Sequence, residues 1–317
     1  MAGASLLTLL DDIATLLDDV AAMTKIAAKK TAGVLGDDLA LNAQQVSGVR
    51  AERELPVVWA VGKGSLVNKC ILVPLAMFLS VTMPWLITPL LMLGGAYLCF
   101  EGAEKLFHVL FPHGDAEVEE DFDTQDPAHL EEEKVAGAIK TDFILSAEIM
   151  TIALAAIPDS ALWIEAITLA IVGIFITVGV YGSVALIVKM DDIGLFLARR
   201  GRLAPTRAFG RGLVIAMPKL MSFLSTVGTA AMLWVGGSII LHGLEVLGWP
   251  WAYHHIHDLA VAAGQALPQA QGFVEWAVTA AIDGAFGVLL GVALIPLATR
   301  VIGPLIETLT GKKKAAH

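Results

Sequence analysis

Uninterrupted apolar runs dominate the chain. Residues 70–100, 166–188 and 220–241 contain no charged side chain, and a helix needs only about 20 apolar residues to cross the hydrocarbon core of a bilayer. In the first run, "MPWLITP" predicts a broken pair of helices at 65–83 and 85–110, because proline removes a backbone donor and restricts the residue before it. Further helices are predicted at 135–157 and 160–188, on either side of "PDS", where Ser160 is placed to cap the second. Two more follow at 212–247 and 273–301, with 29–63, 189–211 and 248–271 left as connectors. The expected fold is an all-α polytopic membrane bundle of about six to eight membrane helices.

Residues 5–28 follow another pattern. Asp11 and Asp18, and likewise Asp12 and Asp19, are seven residues apart and stack on one side of a helix, with Thr8 and Thr15 beside them. Leu6, Leu9, Leu10, Ile13, Leu16, Leu17 and Val20 form a wide apolar side. Such a helix can lie at the headgroup boundary with its acids in water, cross the membrane, or turn its acids toward protein.

Composition agrees with a membrane protein: 56% of the 317 residues are hydrophobic and the mean hydropathy is +0.71. The formal charge of -10 is concentrated in "HGDAEVEEDFDTQDPAHLEEEK", so the chain outside it is near neutral. That acidic segment reads as a solvated loop between spans. Most Lys and Arg residues fall in the first connector, in the second connector through Lys219, and in the tail ending "GKKKAAH". The positive-inside rule places all three in the cytoplasm. No basic leader region precedes the first apolar stretch, and Cys70 and Cys99 both lie in apolar surroundings that offer neither a disulfide framework nor a thiolate cluster.

An internal likeness runs along the chain. "MLGGAYLCFEGAEKL" and "LWVGGSIILHGLEVL" align without gaps, matching Gly95 with Gly236, Gly102 with Gly243 and Glu104 with Glu245. "GKGSLV" parallels "GRGLVI", "GDDLAL" parallels "MDDIGL", and "DIAT" parallels "EIMT", all in the same order. Two related halves are expected, at 1–112 and 135–247, separated by the acidic loop at 113–134 and followed by a loop, a last membrane helix and a basic tail at 248–317. In duplicated transporters the solute site lies between halves near mid-bilayer.

Charges inside spans are costly and are the first candidates for chemistry. "KTDFILSAEIMTIAL" carries Asp142 and Glu148 with the oxygens of Ser146 and Thr151. If this helix packs against the first, Asp142 and Glu148 would face Asp12 and Asp19, with Asp11 and Asp18 nearby. Carboxylate and hydroxyl oxygens suit a divalent cation such as Ca²⁺, Mg²⁺ or Mn²⁺, and a desolvated carboxylate can equally carry a proton. Glu104 and its counterpart Glu245, and the deeply placed Asp283, are further candidates. In "GWPWAYHHIHDL" three His and Asp258 could bind zinc, whereas the aromatic residues beside them suit an interfacial belt. No phosphate-binding loop, zinc-protease helix, serine-hydrolase elbow or dinucleotide fingerprint is present, and nothing indicates a nucleic-acid partner.

The segments "LLDDIATLLDDVAAMTKIAAKKTAGVLGDDLALNAQQVSG", "GSLVNK", "FEGAEKLFH", "KTDFILSAEIMTIAL" and "RGLVIAMPKLMSFLSTVGTAAMLWVGGSIILHGL" resemble the YedI-like family of bacterial inner-membrane proteins. That resemblance implies inner-membrane placement and carries no activity. "TDFILSAEIMTIAL" is also similar to the acid-bearing spans of TerC-like and LysE-type membrane transporters, with Glu148 where the TerC-like pattern has Asp. The expectation is a transporter or exchanger of a small cation, in the bilayer and with a homo-oligomer left open. The alternative is a membrane scaffold or regulatory protein acting through its charged loops.

Overall fold

The computed structural model describes residues 2–32, 35–46, 53–110, 127–158 and 160–297. Among them are ten α-helices and no strand: α1 Ala2–Thr31, α2 Leu35–Val46, α3 Glu54–Thr82, α4 Pro84–Leu110, α5 Pro127–Ala156, α6 Leu162–Val188, α7 Met190–Arg200, α8 Ala204–Val246, α9 Trp251–Ala266 and α10 Gln271–Leu297. Five helices, α3, α4, α6, α8 and α10 with its preceding 3-10 turn, are long and apolar enough to cross a membrane. The all-α membrane bundle is therefore the fold, and large apolar side chains such as Trp59, Phe78, Phe175 and Leu289 face outward where acyl chains can cover them.

The expected break at "MPWLITP" falls between α3 and α4. The Met83 N–H closes α3 on the Leu79 carbonyl, and Pro84 begins α4, where its missing N–H costs nothing. Other boundaries differ from expectation. The first connector contains α2 and the beginning of α3, the second contains α7, and the 248–271 loop contains α9. These short helices are amphipathic, and packing rather than length stabilises them. The helix expected at 135–157 exists as part of α5, yet its apolar run is interrupted by Lys140, Asp142 and Glu148, and it is not one of the five apolar helices. Ser160 does not cap α6. Ala161 occupies the cap without a side-chain bond, and the Ser160 backbone N–H instead donates to Glu165 Oε1 at 3.2 Å.

The chain divides into two compact units, one from Met1–Ile87 and Asp126–Ser225, the other from Thr88–Gln125 and Thr226–His317. In the first, α3 packs against α5 and α6, and α1 and α2 lie on the same two helices. Val57, Val61, Leu72, Ile149, Met150, Leu169, Val172 and Val180 fill its core. In the second, α4, the C-terminal part of α8 and α10 approach at backbone distance. A Cβ on Gly95 would lie 2.9 Å from the Gly236 carbonyl, and one on Gly236 would lie 2.7 Å from the Gly95 carbonyl. The two glycines matched by the internal alignment therefore meet each other, and small-residue contact is what lets membrane helices come this close.

Candidate polar site in the first unit

The first unit buries a polar cluster that its apolar helices would not be expected to tolerate. Helix α5 supplies Asp142 and Ser146, one turn apart; α3 supplies Ser65, Asn68 and Lys69; α6 supplies Tyr181; α2 supplies Asp38 and Asn42. All eight side chains are buried. Their positions follow from helical spacing, since residues three or four apart share a face: Ser65 with Asn68 and Lys69, Asp38 with Asn42, Asp142 with Ser146.

Asp142 is the centre. Its Oδ2 accepts from Asn68 Nδ2 at 3.0 Å and from Ser146 Oγ at 3.3 Å. Its Oδ1 lies 2.8 Å from Tyr181 Oη and 3.9 Å from Lys69 Nζ. Lys69 Nζ donates to Ser65 Oγ and Ser146 Oγ, each at 2.8 Å. Asn68 also reaches the Ile139 carbonyl at 2.9 Å, which fixes its amide orientation because a carbonyl only accepts. Gly173 leaves room for the Lys69 stem, as a Cβ there would sit 3.3 Å from Lys69 Cδ. Beyond Tyr181 the chain of contacts continues into α2: Tyr181 Oη lies 2.8 Å from Asn42 Oδ1, and Asn42 Nδ2 donates to Asp38 Oδ1 at 2.7 Å.

Of the α1 carboxylates expected to face α5, those whose side chains are described do not. Helix α1 packs on α5 and α6, but Asp11, Asp18 and Asp19 on it are exposed, and the Asp12 side chain lies outside the description. Asp142 draws its partners from α3 and α6 instead. The acids that act electrostatically on α5 come from "GDDLAL": Asp38 on Asp142, and both Asp37 and Asp38 on Glu148. Among the described residues no three His, Cys, Asp or Glu side chains are arranged to hold a metal ion. The cation beside Asp142 is the Lys69 ammonium. Glu148 is only partly buried, yet its Oε2 is enclosed and without a hydrogen-bond partner. The Thr151 hydroxyl is occupied by the Glu148 backbone carbonyl at 2.8 Å.

The remaining candidates lie in the second unit. Glu104 is exposed, whereas Glu101 pairs with Lys105 at 2.9 Å. Glu245 approaches His242 at 3.1 Å and His254 at 3.5 Å. Asp283 is buried at 5% exposure, with Ser238 near its carboxylate. His257 and Asp258 are exposed, and His255 Nδ1 contacts the Trp251 carbonyl at 2.7 Å. Sequence reading missed Asp38, Asn42, Ser65, Asn68, Lys69 and Tyr181. The "SLVNK" and "DDLALN" spacings carried the signal, since each sets polar groups one helical turn apart in an otherwise apolar context.

Fold and site together define a helical membrane protein with an ionisable cluster built into one of its two compact units. The chain matches the model of a protein family of unknown function, DUF808, over residues 4–297, and belongs to that family. No curated protein and no solved structure matches it.

Proposed function

We propose that this protein is a transporter or exchanger of a small cation, with the Asp142 cluster as the site through which the ion or its coupling proton passes. The buried Asp142–Lys69 pair carries this reading. Ion pairs removed from water are expensive, and a well-packed apolar replacement is often no less stable. An ionisable group in a membrane bundle is by default a candidate for ion or proton movement. Glu148, with an unpartnered enclosed oxygen two turns along α5, extends the acidic path.

The ordered likeness between the halves supports the reading, because duplicated membrane proteins commonly carry solute at related helices. So does the likeness of "TDFILSAEIMTIAL" to TerC-like and LysE-type spans. The same reading places the chain in a bacterial inner membrane with its basic connectors and tail in the cytoplasm. A proton, or a cation exchanged against one, fits the cluster better than a resident metal, since Lys69 already occupies the cation position beside Asp142.

Full-length protein in liposomes, loaded with a pH-sensitive dye and challenged with a proton gradient or with Mn²⁺, Mg²⁺ or Ca²⁺, tests the proposal. Flux is expected from the native chain and loss of it from Asp142→Asn and Glu148→Gln. Unchanged flux in both variants would remove the site from consideration.

A further inference from the structure

The Tyr181 hydroxyl has one proton and two acceptors. Asp142 Oδ1 and Asn42 Oδ1 each lie 2.8 Å from Tyr181 Oη. The Asn42 amide cannot resolve the conflict by turning over, because its Nδ2 is held 2.8 Å from the Asp38 backbone carbonyl, which only accepts. Asn42 therefore presents its carbonyl oxygen to Tyr181. If Asp142 is ionised, one of the two contacts is oxygen facing oxygen with no proton between. If Asp142 is protonated, its O–H donates to Tyr181 Oη, Tyr181 donates to Asn42, and every contact is satisfied.

We propose that Asp142 is a proton-binding site whose occupancy is reported to α2 through Tyr181 and Asn42: the bound proton latches α2 to α6, and its loss turns the tyrosine O–H to Asp142 and releases Asn42. No covalent bond changes other than the O–H at Asp142, and the proton exchanges with water. The charged groups acting on the cluster are Lys69 on α3, Glu148 on α5, and Asp37 and Asp38 on α2. Asn68 and Ser146 present donors to the Asp142 carboxyl and the Lys69 ammonium lies beside it, whereas Tyr181, when its proton is given to Asn42, presents an acceptor. Opposed demands on the two oxygens of one carboxyl group are what a switch requires. The latch deepens the transport reading by making a proton the ligand of the site, but it does not need transport to operate.

Asp38 must be separated from Asp142 in any test, since burial raises the Asp38 carboxyl to about 7, with the Asp142 charge adding to the rise and Lys69 opposing it. Hydrogen–deuterium exchange of the α2 amides in the full-length, detergent-purified protein, corrected for intrinsic exchange and followed from acidic to alkaline pH, reads the latch directly. Protection of α2 is expected to fall about fivefold as pH rises, the value of one hydrogen bond. Asp142→Asn, whose amide can donate to Tyr181 as the protonated acid does, should hold α2 protected at every pH. Tyr181→Phe should leave α2 unlatched at every pH, and Asp38→Asn should keep the pH dependence. A pH dependence that survives in Asp142→Asn or in Tyr181→Phe, or that vanishes in Asp38→Asn, overturns the proposal. Liposome flux with the same variants is scored separately, so a working latch without transport, or transport without a latch, is recognisable.

Discussion

The two compact units solve the same problem, packing apolar helices that have little hydrophobic reason to associate in lipid, by different means. The first unit joins α2, α3, α5 and α6 through a buried polar cluster around Asp142. The second brings backbones together over glycines: Gly237 of α8 lies against the Asp283 carbonyl of α10, Gly287 of α10 against the Leu233 carbonyl of α8, and Gly291 of α10 against the Cys99 carbonyl of α4. Between Trp234 and Trp276 an edge-to-face contact at 6.0 Å completes the α8–α10 seam. Glycine contact holds helices in place cheaply and carries no charge to titrate. Buried ion pairs cost stability and can respond to a proton, and the site proposed above to do so lies in the first unit.

The largest break in that comparison comes from removing one charge of the pair. Lys69→Met leaves Asp142 buried without its cation and is expected to cost about 3 to 5 kcal/mol, measured as lost thermal stability in detergent. Replacing both, Lys69→Met with Asp142→Leu, should recover most of that loss while eliminating flux; a double variant as unstable as the single would show that the pair is structural. In the second unit, Gly287→Ala drives a methyl into the Leu233 carbonyl, which cannot move aside, and is expected to cost about 1 to 3 kcal/mol with no pH dependence of its own. Asn68→Ala removes a donor from Asp142 Oδ2 and from the Ile139 carbonyl, for an expected loss of about 1 to 2 kcal/mol. Smallest is Asp19→Asn on the exposed side of α1, where an unchanged melting temperature and unchanged flux are expected. A large effect there would return α1 to the site.

The all-α membrane fold was legible because bilayer thickness imposes a length on apolar helices, and runs such as 166–188 meet it without ambiguity. The break at Met83 was legible for an equally local reason, proline. The short helices α2, α7 and α9 were not, since amphipathic segments of 11 to 16 residues are stabilised by what they pack on. At the site, Asp142, Glu148 and Ser146 stood out because charge and hydroxyl groups in an apolar helix are conspicuous. Their partners did not. "DDIATLLDD" and "GDDLALN" offer equivalent Asp pairs, and the stronger periodicity of the first drew attention to the helix whose described acids are exposed.

What this sequence determined alone is what local rules can reach: apolar runs long enough for lipid, a proline break, an acid-bearing helix at 135–157, and glycines that permit close helix contact. Which carboxylates share a site was decided by tertiary structure, because helical periodicity fixes the face a residue occupies and says nothing of which helix lies opposite. Packing α2 and α3 against α5 and α6 placed Lys69, Tyr181 and Asn42 around Asp142, and that arrangement, rather than any motif, gives one tyrosine proton two acceptors.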